Sequence, residues 1–560
     1  MVLMRVPMFK STLFAKKRAG VRVLATTLGI AAIATAQATV IFPRLTFLQA
    51  PWGTYSGDPQ HTGVSHYPSN SLDQVVWSDD IDPQQPAGAE ILAHYGSATI
   101  TQANTVIYPV TTVKDTSYRF KAVNGATGAE IWHFDTDYVH GYQGWTTPVE
   151  GSVTLRNSYV MPGKAGSVYF RQNADTASST TAQLYFYGAA KYAANAAWCD
   201  ANIKISTPIM ADGRGNMWFG YYVGDSFNIG AGVSIPAGFP DIGRGGIVRM
   251  NTAGAAVFVK ATTAVNDSSM QFVANACAPA LSNDAGSIYM VVGSNISNSP
   301  GYIVKLNATT LATQAKVMPV EPQDGNASGI QGSSSGCPMV GPDGDVYFGT
   351  FGRNGWTDYR ESHGWMQHYN ANLVPKGAVG AFGWDDTATI VPASAVPSYA
   401  GTSSYLILCK YNNYAWSDFW NPGDPGIDYA ADGQNTVAVL DPNDSSGTDR
   451  QTGHSCMKPI LLVYGITPDT ENPNVTGAVR EWCINSAAVD PINKCAIVNS
   501  EDGCCYRWDF TTNSLQPVNG GVRGIQLNGP IGEAYTPTVI GPDGTVYAVN
   551  NHHIYAISHF

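Results

Sequence analysis

Charge is scarce in this chain. Asp, Glu, Lys and Arg make up only 13% of its 560 residues, glutamate occurs nine times, and no segment keeps the 3.6-residue apolar period of a long amphipathic helix. Together these absences exclude helical bundles, coiled coils and regular α/β alternation. A G-x-S-x-G nucleophile elbow is also missing, and Ser333 to Ser335 in QGSSSGCP reads as a Gly/Ser loop ahead of a strand. No Cys/His group has the spacing of a closed zinc site. His363 and His368 bracket four residues, His552-His553 lie in the last turn, and His363 with Asp358 and Glu361 is a minor alternative, so no metal is expected.

Basic residues are the scarcer sign, 31 against 42 acidic, for a net charge of −11. Six of them (Arg5, Lys10, Lys16, Lys17, Arg18 and Arg22) fall within residues 1–38, which contain no acid, and an apolar run from Val23 to Ala34 and the triplet Ala36-Gln37-Ala38 follow. Basic start, short apolar run and A-x-A ending are the parts of a secretory signal, with cleavage expected after Ala38. The run is short for a bilayer span, which leaves an uncleaved anchor as the lesser alternative. Without this segment 25 basic residues face 42 acidic ones, near −17. Such a surface repels phosphate backbones and anionic lipid, so neither nucleic acid nor membrane insertion of the mature chain is expected, and the location is periplasmic or extracellular. Nine cysteines in an exported chain permit disulfides and leave an odd thiol; Cys456 with Cys483, and Cys277 with Cys337, are candidate pairs.

What the chain does have is 58 Gly, 33 Pro and 11% aromatics, the composition of many short strands and turns. The clearest stretch is TPTVIGPDGTVYAV from Thr536: a strand, a Pro-Asp-Gly turn and a second strand. Clear copies start at Thr207, Ala278 and Cys337, and weaker ones at Ser97, Thr147, Thr389 and Ser486. Most are followed by two further strands around a polar turn, as in YRFKAVNGATGAEIWHF from Tyr118 and GYIVKLNATTLATQAKV from Gly301. Four strands per repeat predict an all-β fold, a single β-propeller of four-stranded blades, eight in number with seven as the alternative. The last repeat runs out after three strands at Phe560, and Gln74 to Asp82 is an unattached strand suited to close it. The division expected is a signal peptide over 1–38, an extension over 39–72 and the propeller over 73–560.

Two interruptions exceed what a hairpin needs, Phe351 to Trp365 in blade five and Tyr411 to Gln434 in blade six. They bring Trp356, Asp358, Tyr359, Arg360, His363 and Trp365 opposite Trp416, Asp418, Trp420, Asp424 and Asp428. Flat rings with carboxylates and a guanidinium among them suit a glycan or a protein partner, because rings stack while polar groups orient.

The stretch WGTYSGDPQHTGVS, Trp52 to Ser65, resembles the N-terminal signature of secreted PQQ-like β-propeller repeat proteins, within the quinoprotein-dehydrogenase-like superfamily. AVNGATGAEIW, Ala122 to Trp132, is similar to that superfamily's tryptophan-docking motif, which implies that Trp132 packs against the next blade. Other repeats lack this Trp; Phe258 stands near its place in one and Ala312 or Thr313 in another. The resemblance implies a fold rather than an activity. A quinone enzyme of this kind caps its cofactor with a vicinal disulfide, yet Cys504-Cys505 opens a strand where successive side chains point to opposite faces. It would also need calcium held by carboxylate and amide oxygens, and only Glu150, expected as an isolated solvated channel residue, sits on an innermost strand. The expectation is therefore an exported, non-catalytic binding or scaffold propeller without cofactor or catalytic residues. The alternative is a PQQ-dependent oxidoreductase using calcium at a central-channel site.

Overall fold

The computed structural model describes residues 50–83, 96–113, 117–139, 150–224, 232–294, 300–330, 336–351, 364–383, 385–413, 433–450, 452–470, 473, 475–516, 524–527 and 536–559. All lie in one compact unit, Val40–Phe560. Eight antiparallel sheets follow one another along it, an eight-bladed β-propeller. From the centre outward, the first sheet is Thr99–Ile100, Thr105–Val113, Ser117–Asn124 and Glu130–Thr136. The sixth is Thr389–Pro392, Tyr405–Lys410, Thr436–Asp441 and Lys458–Tyr464, which places the Thr389 to Ser486 interval as one blade. The fifth has three regular strands, Met339–Val340, Val346–Thr350 and Trp365–Tyr369; residues 375–380 take the fourth place through bridges of Tyr369 to Pro375 and Met366 to Gly380. The eighth draws on both ends of the chain: Val539–Ile540, Val546–Asn550 and His553–Ser558, with Gln74–Asp80 antiparallel to His553–Ser558.

The repeated turns explain their own composition. Asp212 Oδ1 accepts from the N–H groups of Arg214 and Asn216, and Asp284, Asp343 and Asp543 each accept from the N–H two residues on. These aspartates therefore hold turns, as the Asx geometry requires, and offer no calcium loop.

Tryptophans join the blades. The Nε1–H of Trp132 donates to the Ala174 carbonyl of the second blade at 2.7 Å, and the Arg171 guanidinium lies 4.2 Å from its ring centre. Trp218, in the strand Asn216–Val223 of the third blade, donates to Ala308 of the fourth at 2.8 Å. The sequence pattern overlooked Trp218 because it sits on a second strand instead of a fourth.

All nine cysteines are thiols in this structure, so the expected disulfides are corrected. Cys504 and Cys505 occupy consecutive positions of one strand: Cys505 is buried, while Cys504 is partly exposed and bonds Gln526. Cys277 and Cys337 remain unbridged, the Cys337 sulfur accepting from the Ala278 N–H at 3.0 Å, and Cys456 and Cys483 are unbridged as well.

Candidate functional site

The ring's centre is occupied by the chain itself. The segment from Trp52 to Asn70, which carries the N-terminal signature, bonds the innermost strands one after another. Trp52 exchanges bonds with Ile100, and the Gly53 carbonyl accepts from Val153. Pro59 and Gln60 then accept from Leu281 and Val340, Thr62 from Ile390, and Gly63 from Val489, before the Asn70 N–H donates to Gly544. Seven of the eight sheets are tied together this way. Such close approach needs a residue without a Cβ at position 63, where φ is +64° and a Cβ would stand 2.6 Å from Thr389 Cγ2 and 2.8 Å from the Ala487 carbonyl.

Side chains of the segment point into the ring. Tyr55 OH lies 3.0 Å from Thr387 Oγ1, Ser56 Oγ 2.5 Å from Ser486 Oγ, and Thr54 Oγ1 2.8 Å from Ser152 Oγ. His61 is fully buried with its Nδ1–H on the Pro338 carbonyl at 2.7 Å, and burial lowers its pKa to about 4, so the ring stays neutral. Threonines near the starts of repeats serve as internal ties; Thr207, Thr387 and Thr538 all accept from backbone N–H groups.

Two acidic groups stand out within this frame. Glu150 is only 4% exposed, which corrects the expectation of a solvated channel residue. Burial pushes its carboxyl up to about 8, with the Ser97 N–H opposing, so it is largely protonated at neutral pH. The second group is at the head of the sixth blade. Asp385 and Lys410 form an ion pair at 3.2 Å with both side chains fully buried, and the Asp386 carboxylate accepts from the Lys410 N–H at 2.9 Å. Asn485 Nδ2 donates to Asp385 Oδ1 at 2.7 Å. Burial raises Asp385 to about 6 and Asp386 well above the carboxylate range, while Lys410 opposes both. One ammonium cannot neutralise two buried carboxylates, so Asp386 is the one that keeps a proton. Asp385 itself sits at φ +57°, a left-handed conformation that aspartate tolerates better than most residues.

Sequence reasoning missed this group. Its signal was present: an Asp-Asp pair ahead of an innermost strand, where other repeats have small residues, and a lysine ending the strand LILCK.

Of the predicted binding residues, only Trp365 is among the described ones. Trp356, Asp358, Tyr359, Arg360 and His363, and likewise Trp416, Asp418, Trp420, Asp424 and Asp428, lie outside the described residues. Trp365 is described and fully buried; its Nε1–H donates to Glu321, and His454 meets its ring edge-on at 5.6 Å. A buried indole offers no open face for stacking. The ends of the two interruptions leave from the same side of the ring. Thr350 is opposite Trp365, and Tyr411 to Asn413 follow a second strand whose Leu408 pairs with Thr389, at the start of the innermost strand. The central segment reaches the opposite strand ends, at Ser282 and Gly544.

No protein-family model matches the chain, and no curated protein does. Solved structures with a similar course include BamB from Moraxella catarrhalis, 12% identical over 87% of this chain and all of that one, with a TM-score of 0.40. A europium-containing methanol dehydrogenase is 10% identical over 89% of each chain, with a TM-score of 0.48. The quinohemoprotein alcohol dehydrogenase from Comamonas testosteroni is 10% identical over 92% of this chain and 81% of that one, also at 0.48. Identities this low concern the fold and not the activity.

Proposed function

We propose that this chain is an exported, non-catalytic binding or scaffold propeller that holds a protein partner or a glycan at the blade-five and blade-six interruptions. The observation that supports it most is the anchoring of their ends. Trp365 is locked to Glu321, the Asn413 N–H donates to Asn435 Oδ1 at 2.9 Å, and Asn435 Nδ2 donates to the Val479 carbonyl at 2.8 Å. Rigid roots on one side of a ring whose centre is filled by its own segment suit presentation of binding loops.

A second reading, a PQQ-dependent oxidoreductase with calcium in the channel, is favoured by the Asp385, Asp386 and Lys410 group, since displaced carboxyl pKa values cluster at working sites. The fit is poor on two counts. Asp385 is already held by Lys410 and Asn485, and burial keeps Glu150 largely protonated, so neither presents a free ionised oxygen for calcium. The two readings separate when the mature protein is mixed with PQQ and Ca²⁺ and followed for quinone absorbance and dye-linked alcohol oxidation. The binding reading expects no turnover, and a saturable spectrum with turnover overturns it.

A further inference from the structure

The seam of the eighth blade brings together three side chains from opposite ends of the chain. Asp80 ends the strand Gln74–Asp80 and stands directly across from His553 in the antiparallel register. His552 precedes His553 in the turn after Asn550, where Asn551 adopts φ +51°. The Ile81 N–H donates to the His552 carbonyl at 2.7 Å, which fixes the backbone on both sides. His552 Nδ1 lies 3.0 Å from Asp80 Oδ1, and the two imidazole rings are 4.1 Å apart. One donor atom from each of Asp80, His552 and His553 falls within 4.8 Å of the other two.

One atom in this cluster is not accounted for by packing. His553 Nδ1 is buried and has no hydrogen-bond partner among the described residues, although Asp80 and His552 bond each other beside it. A buried imidazole nitrogen without a partner is costly unless something else takes its lone pair or proton. A cation between the three donors would do so, and the partial exposure of Asp80 and His552 leaves room for water in the remaining positions.

We propose that Asp80, His552 and His553 form a binding site for a divalent transition cation of the zinc type. Two imidazoles and one carboxylate match the donor preference of such an ion and not that of calcium or magnesium, which take oxygen. Ligand atoms around a tetrahedral ion with bonds of about 2.0–2.1 Å lie about 3.4 Å apart, within the 4.8 Å span of these three donors. The ion ties the strand near the N-terminus to the final hairpin, the one blade built from both ends of the chain. The site is independent of the channel and of the loops invoked for partner binding.

The test is equilibrium dialysis and calorimetry of the full chain with ZnCl₂, and separately with CaCl₂, on wild type, Asp80→Asn and the triple variant Asp80→Asn/His552→Gln/His553→Gln. Far-ultraviolet circular dichroism confirms that each is folded; Asp80→Asn changes one partly exposed atom and keeps the test meaningful if the triple variant fails to fold. The expected result is one zinc equivalent per wild-type chain, no calcium binding, at least tenfold weaker zinc binding in Asp80→Asn, and loss of that equivalent in the triple variant. Cobalt substitution should give visible d–d bands with wild type and none with the triple variant. Undiminished zinc stoichiometry in the folded triple variant, which would assign binding to the thiols, or no zinc binding by wild type, overturns the proposal.

Discussion

Trp77 donates its Nε1–H to the Gly125 carbonyl at 2.8 Å, so the strand Gln74–Asp80 of the eighth blade docks onto the hairpin of the first. Gly125 belongs to AVNGATGAEIW, and three residues on Gly128 adopts φ +69° with the indole against it; a Cβ there would stand 2.8 Å from Trp77 Cγ. The motif that supplies a docking tryptophan at Trp132 also supplies the glycines that receive one. Trp77→Ala should destabilise by about 2 kcal/mol or more, below the 3–5 kcal/mol usual for a fully buried aromatic. Gly128→Ala should cost at least about 1–2 kcal/mol from backbone conformation alone. Denaturant melts of the two variants measure both losses.

The central segment depends on Gly63. Gly63→Ala forces a Cβ onto Thr389 and the Ala487 carbonyl, so it should loosen residues 52–70 before the blades melt. Limited proteolysis should cut that segment in the variant at a protease concentration that leaves wild type intact.

Glu150 sets a pH dependence. Its folded-state pKa of about 8 is above the usual carboxylate value, so its protonated form fits the fold. That contribution is complete at pH 4 and declines as the pH rises toward 8, at about 1.4 kcal/mol per displaced unit. Glu150→Gln should match wild type near pH 4 and be more stable at pH 8, as thermal melts at both values would show.

Lys410→Met leaves Asp385 buried without its cation, and such breaks cost about 3–5 kcal/mol. The loss should be largest at pH 8 and smaller at pH 5, because removing Lys410 raises Asp385 further above its wild-type value of about 6 and protonation then removes the charge. Asp385→Asn combined with Lys410→Met should recover most of it. A double-mutant cycle by denaturant melting reads the coupling.

The fold was legible because its signals are local: a turn aspartate and a glycine recur in the four clear copies, and the four weaker copies keep the strand spacing, which leaves little choice of architecture. Buried charge was not legible to the same degree. Asp385 and Lys410 are separated by only 24 intervening residues, yet nothing local shows that both side chains turn inward. Asp80 and His553 meet only because the last sheet takes a strand from each end of the chain, a pairing across 473 positions. Trp365 was grouped with the binding aromatics by its neighbours in sequence, whereas its strand register places it in the core.

The central claim is partner or glycan binding at the two interruptions, and the most direct measurement is array binding by the protein beside its Trp356→Ala/Trp416→Ala variant. The account predicts selective, saturable binding by wild type that the double variant loses while its melting curve is unchanged. Equal binding by both proteins would contradict it.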